Sequence, residues 1–114
     1  METRIAAALK EVGFGILTRV QADKVLKEKL GVDTAPYWIL GACNPKIAHQ
    51  ALELTPEIRV FLPCSVCLRQ ESDGTVSIWA LDPGSVVDAL GNPQLSPHGA
   101  QARNLIESAI NSLN

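Results

Sequence analysis

Apolar residues in this chain fall at helical spacing in some stretches and at alternate or consecutive positions in others, and the switches coincide with Gly, Pro and Asn signals. In residues 2–12, Ile5, Ala8, Leu9 and Val12 share one face while Thr3, Arg4, Lys10 and Glu11 take the others. This predicts a short amphipathic helix stopped by Gly13. Phe14 to Val20 predicts a strand in which Gly15 either weakens pairing or admits another backbone close by. Helical period returns over 22–30 through Ala22, Val25, Leu26 and Leu30, with Gly31 as the C-terminal cap. The run Tyr37 to Ala42 is apolar on both parities. A strand of that kind is covered on both faces, or by helices on one and by a partner subunit on the other.

Asn44-Pro45 is the clearest start signal, because the Asn side chain can cap while Pro takes the first helical position, where its missing N–H costs nothing. The helix is expected to run to Glu53 with Ile47, Ala48, Ala51 and Leu52 inward and Lys46, His49, Gln50 and Glu53 outward. After Thr55-Pro56, Ile58 to Arg69 forms the longest strand expected, with Pro63 at a bulge or on a sheet edge. Ser72-Asp73-Gly74 is a hairpin loop. A loop of three residues pairs Leu68 with Ile78 and Val66 with Ala80, which keeps one face apolar; a loop of two would not. The returning strand covers 76–81, Asp82-Pro83 opens a short helical turn closed by Gly91, and Gly91 to Gly99 is expected as loop. Ala102, Leu105, Ile106, Ala109, Ile110 and Leu113 predict a C-terminal helix across the sheet. The order of elements indicates an α+β fold, helices packed on a mostly antiparallel sheet.

At 114 residues the chain is expected to be a single domain over 1–114, large enough to fold without disulfides. Three cysteines, an odd number, with no basic-then-apolar leader ahead of them, point to a reducing cytoplasm. A net charge of −2 leaves no footprint for nucleic acid or an anionic membrane, and no apolar run is long enough to span a bilayer. Lys24, Lys27 and Lys29 alternate with Asp23 and Glu28, the pattern of a solvated helix face. The hydrophobic content is 46%, dominated by aliphatic residues, so part of the apolar surface is expected in a homodimer interface.

The segments GFGILTRV, LKEKLG, GACNPKIAHQAL and FLPC occur together. With them the chain resembles, from about Ile5 onward, the bacterial and archaeal family called domain of unknown function number three hundred and two. That resemblance implies a compact fold similar to the TATA-binding-protein-like architecture, a dimer, and no established activity. Two departures accompany it: related chains begin with a strand before the first helix, and the second thiol of Cys64-Ser65-Val66-Cys67 is peculiar to this chain.

Candidate chemistry centres on the two hinges. Cys43 precedes the helix opened by Asn44-Pro45, where unpaired helix N–H groups can lower a thiol pKa and make a nucleophile or soft-metal ligand. The plainer role is a small residue filling a tight turn. Cys64 faces the core with Leu62 and Val66 on this reading, and could meet Cys43 if the two strands are neighbours. Cys64 and Cys67 are three apart in a strand and so point to opposite faces, which argues against a thioredoxin-like pair. Cys43, Cys64 and His49 could supply three metal ligands, although His49 belongs to a polar helix face; His98 sits in the expected loop. Tyr37, Trp38, Phe61 and Trp79 could line an apolar pocket.

No phosphate loop, nucleophile elbow or paired catalytic carboxylates occur. The expectation is therefore a homodimeric module, not an enzyme, binding a small molecule or a metal ion near Cys43, Asn44, Pro45, Pro63 and Cys64. The alternatives are a thiol-dependent enzyme or redox protein using Cys43, and a structural interaction module.

Overall fold

The computed structural model describes residues 2–113. Helix α1 (Glu2–Glu11) buries Ile5 and Leu9 and ends at Gly13, whose φ of 88° lies in the left-handed region. Strand β1 (Gly15–Gln21), helix α2 (Ala22–Leu30) and strand β2 (Tyr37–Cys43) follow, with Gly31 capping α2 at φ 69°. Helix α3 (Pro45–Leu54) starts where the Asn44-Pro45 signal places it, the Asn44 side chain accepting from the Ile47 N–H at 3.2 Å. Strands β3 (Cys64–Gln70) and β4 (Val76–Ala80), helix α4 (Pro83–Leu90) and helix α5 (Ser96–Asn111) complete the chain.

The four strands form one antiparallel sheet in chain order, β1-β2-β3-β4, so β1 and β4 are its edges. The fold is α+β. Its hairpin has the expected register, Val66 opposite Ala80 and Leu68 opposite Ile78, with Gly74 at φ 87°. Glu71 and Thr75 close the three-residue loop, and the Asp73 carboxylate accepts from both the Thr75 N–H and its hydroxyl. Trp38, Leu40 and Ala42 of β2 and Val66 and Leu68 of β3 meet Ile5 and Leu9 of α1 and Ala102, Ile106 and Ala109 of α5 in the main core. Full burial of each large aliphatic side chain there contributes about 1.5–3 kcal/mol. Among the described residues no helix is long and apolar enough to cross a membrane.

Two segments differ from the sequence expectation. The strand predicted from Ile58 begins only at Cys64, because Pro56–Phe61 is a 3₁₀ helix opened by its proline. Ile58 is buried while Val60 is 81% exposed, so their alternation, which mimics a strand, instead reflects a tight helical turn. Pro63, joined to Leu62 by a cis peptide bond, therefore precedes the strand and is neither at a bulge nor within an edge. The predicted loop from Gly91 to Gly99 is a 3₁₀ turn (Pro93–Leu95) running into the first turn of α5, with Leu95 fully buried. Asn92-Pro93 and Ser96-Pro97 are start signals of the same kind as Asn44-Pro45. The asparagine side chain of the first accepts from the Gln94 N–H at 3.0 Å.

Of the two strand glycines, only Gly41 needs to lack a side chain. A Cβ on Gly41 would stand 2.6 Å from Pro63 Cγ and still nearer the Thr18 hydroxyl, whereas one on Gly15 would meet nothing within 4 Å. Gly41→Ala is expected to destabilise by about 1–3 kcal/mol through overpacking against the proline ring. Gly15→Ala should stay within about 0.5 kcal/mol. Urea unfolding of both variants checks the contrast, and equal midpoints would contradict it.

Candidate functional site

The register of β2 and β3 builds the site. Ala42 lies opposite Cys64, so Cys43, one residue on, closes β2 beside the start of β3. The two strands are neighbours, the condition on which their hinges could meet, and both thiols line a single cavity. Phe14, Ala42, Ile47 and Ala51 form its inner wall, and Ile58, Phe61 and Leu62 of the 3₁₀ segment form a second side. Pro83, Val86 and Val87 of α4, with Leu95, Gly99 and Ala102, complete it. The space is partly open and about 60 Å³ in volume, enough for a short chain or the edge of a small ring. Asn44 and His98 contribute the remaining polar side chains, both half-buried like the two thiols.

Of the residues singled out from sequence, the structure brings Cys43, Asn44 and Cys64 together on this cavity. Pro45 is exposed at the start of α3, and Pro63 packs over Gly41; neither lines the cavity. His49 points outward, 75% exposed and 3.1 Å from Glu53, so it cannot join the thiols around a metal. Among the described residues no group of three or more His, Cys, Asp and Glu side chains is arranged to hold a metal ion. His98, expected in a loop, is instead held by the first turn of α5. The four aromatic residues do not share one pocket: Trp38 packs on the helix side of the sheet and Phe61 on the cavity, while Tyr37 and Trp79 border a groove on the other face.

The cysteines are free, and burial pushes all three thiols above the ordinary cysteine value, with repulsion from Cys43 adding to the rise at Cys64. The lowering that a helix start can give Cys43 is absent for a local reason. Pro45 has no N–H to offer, and the Ile47 N–H already donates to the Asn44 side chain, so the helix start has little left to stabilise a thiolate. Cys64 and Cys67 point to opposite faces, Cys64 opposite Ala42 and Cys67 between Ile39 and Trp79.

The wall formed by α4 and α5 was out of reach of sequence pattern, and polar contacts hold it in place. Arg103 donates to both carboxylate oxygens of Asp82, at 2.8 and 2.6 Å, while one of those oxygens also accepts from the Gly84 N–H and caps α4. At Gly99 the two helices approach so closely that a Cβ would stand 2.6 Å from the Val87 side chain. Across the cavity, Asn92 donates to the Thr55 hydroxyl at 2.7 Å and joins the end of α3 to the segment before α5.

The profile of the family described as Domain of unknown function DUF302 matches residues 1–113. A similar solved structure is the crystal structure of an uncharacterized conserved DUF302 protein from Bacillus stearothermophilus. It is 31% identical, with a TM-score of 0.88 over 96% of this chain and 85% of that one. No curated protein matches the chain.

Two measurements follow from these groups. Hydrogen bonds from Arg103, then from the Gly84 N–H, hold the Asp82 carboxyl below the usual carboxylate range. A depressed folded pKa stabilises above the unfolded value of about 3.9 and is lost as pH falls through the folded one. Asp82→Asn should therefore lower Tm at pH 6 and flatten its decline between about pH 4 and pH 2, read by thermal melts across that window. Cys43, Cys64 and Cys67 should alkylate slowly at pH 7 in the folded protein and accelerate only above about pH 8.5. Rapid modification of Cys43 near neutrality, located by peptide mass spectrometry, would contradict this.

Proposed function

This chain belongs to the DUF302 family, and from that premise we propose that it is a homodimeric module that binds a small, largely apolar molecule in the cavity bordered by Cys43, Asn44, Cys64 and His98. One observation carries the reading. Apolar side chains from α3, α4, α5 and the 3₁₀ segment converge on a space whose few polar groups are two protonated thiols, an amide and an imidazole. Binding sites of this type bury an apolar body and fix its orientation through a small number of polar contacts. The small volume favours a ligand with a short aliphatic or single-ring body and one polar end at Asn44 and His98, rather than a nucleotide-sized cofactor.

The competing readings have less support. A nucleophilic Cys43 would need a stabilised thiolate, whereas burial acts in the opposite direction on this thiol. A metal site would need a third ligand beside the two thiols, and His49 is turned away.

Native mass spectrometry of freshly purified, reduced protein tests the proposal, with the denatured mass as reference. An organic adduct lost on denaturation is the expected result. Adding that compound back should raise Tm for the wild type; the thermal shift should disappear in the cavity-filling variant Ala51→Leu and shrink in Cys43→Ala/Cys64→Ala. A shift of equal size in all three proteins would place the ligand elsewhere and overturn the reading.

A further inference from the structure

The face of the sheet turned away from α1 and α5 carries a row of side chains that a solvated face would not have. Register places Val20, Ile39, Cys67 and Trp79 side by side, one from each strand. Trp79 is 53% exposed and Val20 43%. An antiparallel sheet with helices on one side normally alternates to polar residues on the other. Here the alternation yields a second apolar stripe. Leu26 of α2 and Tyr37 border a groove beside Cys67 and Trp79, so α2 rims this face at one end.

We propose that this face is the surface on which a second copy of the chain docks, sheet against sheet. The inference rests on the homodimer in the reading above and goes on to locate its interface. Two features of the face favour its own copy as occupant. A two-fold interface sets a patch against itself, so a charged patch would repel its own copy. The row next to the apolar one, Thr18, Gly41 and Ser65, is uncharged, with the Pro63 ring lying over Gly41 at its middle. At the other end Arg69 lies 3.5 Å from Glu71, which offsets its charge. The extent of the face is also suitable. Four strands about 4.8 Å apart and roughly 20 Å long give on the order of 400 Å² in projection, and the relief of the side chains brings the accessible area toward the ~800 Å² per partner of a standard interface. Sheets packed this way lie about 10 Å apart with their facing side chains interleaved, which would bury the Trp79 indole in each copy.

The test is sedimentation velocity over a concentration series, with circular dichroism to verify folding. Wild type should sediment at twice the 12.2 kDa mass of the chain. Trp79→Lys and Val20→Lys change side chains already half exposed in the single chain, so each should fold and raise the dimer dissociation constant at least about tenfold. Val60→Lys, at an apolar residue more exposed than either but on the 3₁₀ segment, should leave the dimer unchanged. A dimer that persists in both sheet-face variants overturns the location and leaves the homodimer standing. A monomeric wild type overturns both the location and the homodimer.

Discussion

The pairing of β2 with β3 is the constraint from which the other features of this molecule follow. β2 is an inner strand, with α1 and α5 packed on Trp38, Leu40 and Ala42. Its register sets the end of one strand beside the beginning of the next, Ala42 opposite Cys64. Because α3 begins one residue after β2 ends, the same pairing brings a helix start, two thiols and the 3₁₀ segment to one corner of the sheet. A register displaced by one residue would turn every inward side chain of β3 outward, so the corner is as firmly specified as the core.

What that corner can do follows from what surrounds the thiols. Apolar walls disfavour charge, and the helix start next to Cys43 has spent its free donors on Asn44. Burial of this kind raises the pKa of both thiols and favours their uncharged form. The polar contacts near the cavity lie behind its walls instead: Asp82 with Arg103, and Asn92 with Thr55. They align the helices that wall the cavity and leave its lining almost wholly apolar.

Much of the fold was legible in the sequence where a local signal and the wider pattern agreed. Asn44-Pro45 starts a helix in both, and the apolar face of the hairpin selects its three-residue loop without knowledge of the rest. The misreadings arose where two local rules competed. Ile58 and Val60 have strand spacing, yet they lie between Pro56 and Pro63, and the proline-opened turn prevails because only one of the two side chains has a core to enter. Between Gly91 and Gly99, proline and glycine suggest loop, although Asn92-Pro93 and Ser96-Pro97 are also helix starts. For the site, strand adjacency alone brings Cys43 and Cys64 together. The opposite wall, from Pro83 to Ala102, depends on how α4 and α5 pack, and no periodicity within either helix encodes that.

The irregularity in β1 has a consequence for how this chain behaves at high concentration. Between Ile16 and Thr18 the register slips, leaving Leu17 unpaired and 64% exposed on an edge strand. A bulge at an edge bends the strand and interrupts the row of free N–H and C=O groups that would otherwise template an incoming strand. Growth by end-to-end addition of sheets, the first step toward a fibril, is thereby disfavoured at that edge.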